Sequence, residues 1–157
     1  METELSYDGL ACNGRNIKLS GRADRIDLVD GKIRVIDYKT GLVEDTNGKV
    51  SKDHTDLFKM QEKAIQLMIY KYLYVKMNGD VNPDDVVPGI IALQKLSHGL
   101  FTLNIDKDHD FNLGFVDSFE DYLIDAIGNL LDTEQDFIQA EDESHCKYCD
   151  FKVICKR

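Results

Sequence analysis

Residues 21–41, GRADRIDLVDGKIRVIDYKTG, look like two ordinary β-strands but contain four aspartates. Asp30-Gly31 is a strong signal for a two-residue hairpin turn between the two strands. Counting outward from this turn along both strands places Asp24 directly opposite Asp37. Like charges opposed on one face destabilise a sheet, so this pair calls for a compensating positive charge.

A divalent cation would provide that charge, because Mg²⁺ and Mn²⁺ bind carboxylate oxygens and keep several waters and substrate phosphate oxygens. Lys39 lies two residues beyond Asp37, so its side chain points to the same face and can reach the same water or phosphate. The same register sets Asp27 opposite Arg34 on the other face, as an ordinary ion pair. The hairpin therefore offers Asp24, Asp37 and Lys39 together.

The strand face that carries both acids is predicted to face the core, because apolar residues alternate along it. These residues are Ile26, Leu28, Ile33 and Val35. A charge beside a buried face is costly unless it has a partner, which makes the pair a candidate site. The alternative is that both acids are solvated charges on an exposed strand face, as most charged residues are.

Length and composition favour one globular domain, residues 1–157, without bulk affinity for nucleic acid. The chain has 157 residues, 43% of them apolar, and a net charge of −10. Because non-specific nucleic-acid binding relies on Lys and Arg, any such role must use a local basic strip or metal ions. No signal peptide or membrane span is visible, so no membrane association and a cytoplasmic location are predicted.

Hydrophobic periodicity and turn residues predict a mixed α/β order of strand, strand, helix, strand, strand, helix. The predicted strands are residues 17–29, 32–38, 86–93 and 99–105, and the predicted helices are residues 56–77 and 115–139. Thr55 is a candidate N-cap for the first helix.

These segments resemble a known family. GRADRID followed by IDYKTG is similar to motifs II and III of the PD-(D/E)XK nucleases, specifically the RecB-like branch that includes the AddB-type subunits of helicase-nuclease complexes. Gln66 and Tyr70 fit its QxxxY motif, and Cys146, Cys149 and Cys155 fit its C-terminal iron-sulfur cysteines. The resemblance implies an α/β restriction-endonuclease-like core, with a central mixed β-sheet flanked by helices.

The resemblance also implies roles for individual residues. Asp24 and Asp37 would bind Mg²⁺ or Mn²⁺, with the backbone carbonyl of Tyr38 completing the protein ligands. Lys39 would stabilise charge on the phosphate or orient the attacking water, and Gln66 would reach the metal site by hydrogen bonding. The implied chemistry is phosphodiester hydrolysis with one or two metal ions.

Three residues near the QxxxY motif would contact DNA. Tyr70 would contact the strand, while Lys59 and Lys63 continue the stripe of Gln66 and Tyr70 toward the start of the helix and would contact phosphates. Without the resemblance, such a polar stripe is more simply a solvated helix face.

The tail, residues 145–157, supplies three thiolates that suit a 4Fe-4S cluster or a structural zinc ion better than disulfides. The fourth ligand is open, because the family's first cysteine lies well upstream of the nuclease motifs. Cys12 is either a substitute ligand or a plain buried thiol. The family's N-terminal metal-binding histidine also has no counterpart before His54, and Glu2 or Glu4 would be an ancillary metal ligand. The chain is therefore expected to be the C-terminal piece of a longer protein.

Three functions follow. The first is an exonuclease-type, Mg²⁺- or Mn²⁺-dependent DNA nuclease module for repair and recombination, acting beside a helicase subunit or domain. The second is a catalytically silent DNA-binding or scaffold module of the same fold. The third is a free-standing RecB-like exonuclease. The isolated chain is expected to be inactive if the missing N-terminal motif is essential.

Overall fold

The computed structural model describes residues 2–54, 56–57, 60–112, 114–136, 138–139, 143–147 and 149–156. Its strands are β1 (Thr3–Cys12), β2 (Arg15–Ala23), β3 (Arg25–Val29), β4 (Lys32–Lys39), β5 (Lys49–Val50), β6 (Val86–Ala92), β7 (Leu100–Thr102) and β8 (Asn104–Ile105), and its helices are α1 (Glu62–Met77) and α2 (Phe115–Leu131). The central sheet has the strand order β3-β4-β6-β7. Strands β4 and β6 are parallel and the outer pairs are antiparallel, so the sheet is mixed. This confirms the predicted α/β fold class.

The predicted β3–β4 turn and register are confirmed. Asp30 and Gly31 both have positive φ, at 51° and 76°, which the tight hairpin turn requires. Arg34 donates two hydrogen bonds to Asp27, of 2.6 and 2.8 Å, in the predicted ion pair. The paired ladder ends where Arg25 faces Ile36, one residue short of the two acids.

The structure has an N-terminal hairpin that the predicted element order lacks. Strands β1 and β2 pair from Thr3 with Ala23 to Cys12 with Arg15. Their turn is Asn13-Gly14, with φ of 48° and 73°, and Asn-Gly is itself a strong hairpin signal. The prediction also merged β2 and β3 into one strand, whereas the chain bends between them at Asp24.

Both helices are shorter than predicted. Helix α1 begins at Glu62 instead of residue 56, and the candidate N-cap Thr55 lies outside the described residues. Helix α2 ends at Leu131 instead of residue 139. There the side chain of Asp132 accepts a hydrogen bond from the backbone N–H of Glu134 at 2.9 Å, a local turn that competes with continued helix. No helix in the described part of the chain is long and apolar enough to cross a membrane.

Helix α1 packs against β1, β2 and β6, and its apolar side chains form the centre of the core. The β3–β4 face that carries the acids is buried only toward its far end. Val35 is fully buried there, whereas Leu28 near the turn is 69% exposed. The prediction that this whole face is buried is therefore wrong at the hairpin tip.

The two helices are joined by a half-buried polar contact. Glu120 on α2 accepts hydrogen bonds from the Tyr72 hydroxyl at 2.6 Å and pairs with Lys76 at 2.5 Å. Burial acts to raise the pKa of Glu120, but the hydrogen bonds from Lys76 and Tyr72 outweigh it and hold that pKa below its usual value. The contact is therefore strongest when Glu120 is ionised.

A lowered pKa in the folded state means that Glu120 contributes stability above its unfolded pKa and loses it as the pH falls through the lower folded pKa. We expect the free energy of unfolding to fall less steeply in Glu120→Gln than in wild type between about pH 5 and about pH 3. Urea denaturation across that range measures this. Glu134→Gln, at an exposed position, is the control and should keep the wild-type slope. Equal slopes in wild type and Glu120→Gln would contradict the assignment.

Gly48 lets the loop before β5 approach β7 closely. A Cβ added at Gly48 would lie 2.6 Å from the backbone carbonyl oxygen of Thr102, whereas one added at Gly41 would meet no atom within 4 Å. We expect Gly48→Ala to lower the free energy of unfolding by about 1–3 kcal/mol, because backbone must shift to make room. Gly41→Ala is the matched control and should change it little. Equal effects of the two substitutions in urea denaturation would contradict the predicted close approach.

Candidate functional site

Asp37 is the buried acid of the site. It lies near the end of β4 and is only 6% exposed. Its Oδ1 accepts a hydrogen bond from Gln66 Nε2 at 2.9 Å and lies 3.1 Å from the hydroxyl of Tyr70. Both partners come from α1, and both can face Asp37 because residues four apart lie on one face of a helix. The helix therefore fixes one oxygen of this carboxylate.

The second oxygen, Asp37 Oδ2, has a different environment. It is buried and receives no hydrogen bond from the described residues. The Lys39 ammonium lies close to it, with Nζ 3.0 Å away in an ion pair. The Lys39 side chain remains 35% exposed, so its ammonium reaches from solvent to the carboxylate. Asp37 Oδ2 is therefore a buried acceptor whose described partner is a cation.

Asp24 lies beside Asp37, at the bend between β2 and β3. Its backbone N–H donates to the carbonyl of Ile36 at 3.1 Å, and its Oδ2 accepts from the backbone N–H of Tyr38 at 2.7 Å. These two bonds hold Asp24 across from the segment that carries Asp37. The predicted opposition of the two acids thus continues the β3–β4 register by one residue. The Asp24 side chain is hydrogen-bonded to the backbone of β4.

Tyr70 connects the acid to the N-terminal hairpin. Its hydroxyl accepts from Gln66 Nε2 at 2.9 Å and lies 2.8 Å from the backbone carbonyl of Arg22, so its single proton serves either that carbonyl or Asp37 Oδ1. Burial raises the pKa of Tyr70 to about 12, and the negative charge of Asp37 adds to that increase. The hydroxyl is therefore a neutral donor at physiological pH.

The DNA contact that the resemblance implied for Tyr70 stays a prediction. Its side chain is buried, at 6% exposure, and its hydroxyl faces protein groups. Gly21, the first residue of GRADRID, lies next to this ring: an added Cβ would be 3.4 Å from the Tyr70 ring, an ordinary contact distance.

The donor set fits a hard divalent cation. Mg²⁺ is commonly held by one or two carboxylates and keeps several waters, so two aspartates would suffice as side-chain ligands, and the Tyr38 carbonyl as a third ligand stays a prediction. The unbonded Asp37 Oδ2 is the observation that supports this fit. Within the described residues, no group of three His, Cys, Asp or Glu side chains comes together as a metal site. Any metal here would therefore rely on two side-chain ligands.

The remaining predicted residues lie apart from this contact network or outside the described residues. Lys63 is half-buried on α1, three residues before Gln66, and Lys59 lies outside the described residues. Glu2 forms an exposed ion pair with Arg22, and the side chain of Glu4 is exposed. Cys12 is buried, with its thiol 3.5 Å from the Ile124 carbonyl.

The tail cysteines do not form a ligand group in the described structure. Cys149 N–H donates to the Cys146 carbonyl at 3.2 Å, and Cys155 N–H donates to the Phe151 carbonyl at 3.3 Å. These are local turns. Because no three-ligand group is found among the described residues, a cluster or zinc ion on Cys146, Cys149 and Cys155 stays a prediction.

Comparison with known protein families matches residues 1–156 to the PD-(D/E)XK nuclease superfamily. The chain belongs to this superfamily. The match spans nearly the whole chain and agrees with the mixed sheet and with the acids at the end of β4. Membership in the RecB-like branch, and the likeness to AddB-type subunits, stay predictions from the motifs.

No curated protein sequence matches the chain. Among solved structures, it is similar to the crystal structure of SSO0001, with 22% sequence identity and a TM-score of 0.42. The similarity covers 98% of this chain and 58% of that one, so this chain spans little more than half the length of that protein.

The Tyr70 hydroxyl should contribute measurably to stability. We expect Tyr70→Phe to lower the free energy of unfolding by about 1–2 kcal/mol, because the Arg22 carbonyl and the Gln66 amide each lose a hydrogen-bond partner. Tyr74→Phe on the same helix is the matched control, since the Tyr74 hydroxyl has no hydrogen-bond partner among the described residues. Equal values for the two variants in urea denaturation would contradict the bonding described for Tyr70.

Proposed function

We propose that this chain is a metal-dependent DNA nuclease module that hydrolyses phosphodiester bonds at the Asp24–Asp37–Lys39 site. The single observation that supports this best is Asp37 Oδ2, a buried carboxylate oxygen with no hydrogen bond and with a lysine ammonium 3.0 Å away. A buried carboxylate oxygen without a hydrogen-bond donor is suited to bind a cation, and the neighbouring ammonium is suited to contact a phosphate. Superfamily membership supports the same chemistry.

Asp24 and Asp37 would hold Mg²⁺ or Mn²⁺, with the Tyr38 carbonyl as a third protein ligand. When bound, such a cation lowers the pKa of a coordinated water and neutralises charge on the phosphate oxygens. Gln66 and Tyr70 would orient a metal ligand. Their hydrogen bonds to Oδ1 fix the rotation of the Asp37 carboxylate, so that Oδ2 faces Lys39.

Lys39 would place a positive charge beside the scissile phosphate. In the described structure its ammonium pairs with Asp37 and is partly exposed, so a substrate phosphate arriving from solvent can contact it. A charge aimed at the transition-state oxygens is worth more in a partly buried site than in water. Lys63 is proposed to add a phosphate contact from the first turn of α1.

The broader assignment is also a proposal. We infer an exonuclease-type activity within a DNA repair and recombination complex, alongside a helicase subunit or domain, from the motif resemblance of residues 21–41 and of the QxxxY segment. The net charge of −10 supports a module that is brought to DNA by a partner or by metal ions, since bulk attraction to phosphates is missing.

A catalytically silent DNA-binding or scaffold module is the second candidate. One observation favours it: no third His, Cys, Asp or Glu joins the two aspartates as a metal ligand among the described residues. In that case the Asp37–Lys39 ion pair would be a structural contact. Cleavage assays separate the two candidates.

Cleavage of linear single-stranded DNA in Mg²⁺ or Mn²⁺ tests the nuclease proposal. We expect Asp37→Asn and Lys39→Ala each to lower the cleavage rate by about 100-fold or more, because each removes a group aimed at the reacting phosphate. Removing the metal with a chelator should abolish cleavage. The products are resolved by gel electrophoresis.

Two variants on the same hairpin serve as controls. Lys32→Ala removes a lysine from the start of β4, where it pairs with Asp85, and Asp30→Asn preserves the turn because Asn tolerates positive φ. Both should cleave at the wild-type rate. DNA binding without metal-dependent cleavage by the wild-type chain would favour the silent module instead.

A further inference from the structure

A cavity of about 270 Å³ opens beside the candidate nuclease site, on the face of the sheet that Asp37 occupies. Ile90 links the two: it pairs with Asp37 across β4 and β6, and with Phe101 across β6 and β7. Because neighbouring strands are about 4.8 Å apart, Phe101 lies roughly 10 Å from Asp37 along one row of the sheet. Leu67, next to Gln66 on α1, lines the cavity as well.

An aromatic platform forms one side of this cavity. The rings of His98 and Phe101 are stacked, with centroids 5.6 Å apart and planes inclined by 19°. The side chain of His98 is exposed while Phe101 is half-buried behind it, so the histidine offers a ring face supported by the protein. Histidine and phenylalanine rings in this arrangement are the groups on which unpaired bases stack.

The cavity lining also carries polar groups. Glu44, Asn47 and Asn104 line it, and the Asn47 amide is held in place because its Oδ1 accepts from the backbone N–H of Glu44 at 2.9 Å. The described lining residues include no Lys or Arg. The cavity therefore suits an uncharged planar group with hydrogen-bonding edges better than a phosphate.

We propose that this cavity, called here the base pocket and defined by Glu44, Asn47, His98, Phe101 and Asn104, binds one unpaired nucleobase of the DNA strand held at the nuclease site. The proposal deepens the proposed nuclease function and rests on it. Lys39 and a cation held by the two aspartates would take the phosphate, while the base pocket takes a base a few nucleotides away on the same strand. Stacking tolerates any base, so the pocket positions the strand and does not read its sequence.

The experiment measures binding of single-stranded oligonucleotides to the chain by fluorescence anisotropy in Mg²⁺, with phosphorothioate linkages that resist hydrolysis. One oligonucleotide is intact, and the others carry a single abasic position moved stepwise along the strand. We expect one abasic position to weaken binding by at least about fivefold, the low end of what one stacked base contributes. That penalty should disappear in His98→Ala and persist in His98→Tyr, which keeps an aromatic ring.

Leu96→Ala is the matched control, because Leu96 is exposed in the same segment between β6 and β7 and does not line the pocket. It should keep the abasic penalty. Three results would overturn the base pocket. They are an abasic penalty that survives in His98→Ala, the lack of an abasic penalty at every position, and the lack of any binding.

Failure of the two proposals can be told apart. Metal-dependent cleavage without an abasic penalty would leave the nuclease function standing and overturn only the base pocket. An abasic penalty that depends on His98, found in a chain that never cleaves DNA, would support the pocket and refute the nuclease function.

Discussion

The burial of the Asp37 carboxylate is the constraint on which the rest of the site depends. A carboxylate taken out of water is costly unless hydrogen bonds and a positive charge replace its hydration. Here α1 supplies the hydrogen bonds, through Gln66 and Tyr70, and β4 supplies the charge, through Lys39. One oxygen is held by the helix and the other is left to a cation.

This constraint explains the arrangement of the surrounding elements. The Tyr70 hydroxyl lies between Asp37 and the Arg22 carbonyl of β2. Helix α1 is in turn joined to α2 through the contact of Tyr72 and Lys76 with Glu120. The N-terminal hairpin, α1 and the central sheet therefore meet around this one aspartate.

Local signals were sufficient to predict much of this from the sequence. The Asp30-Gly31 turn defines the register, and the register predicts the Asp27–Arg34 pair and the approach of Asp24 to Asp37. The i,i+4 spacing of Gln66 and Tyr70 likewise predicts one shared helix face. What escaped prediction depends on tertiary packing: periodicity does not show that the Tyr70 hydroxyl turns inward, or that the hairpin tip at Leu28 extends beyond the packed core. The helix ends were also overestimated, because side-chain turns such as that of Asp132 stop a helix without interrupting its apolar pattern.

The central claim is that Asp24 and Asp37 share a divalent cation beside Lys39. Anomalous scattering from a crystal of the protein soaked in Mn²⁺ tests this most directly. We expect an anomalous peak in contact with Asp37 Oδ2 and a carboxylate oxygen of Asp24, with the Lys39 ammonium moved away from Asp37. At saturating Mn²⁺, the absence of any peak between the two aspartates, with the Asp37–Lys39 ion pair still closed, would contradict it.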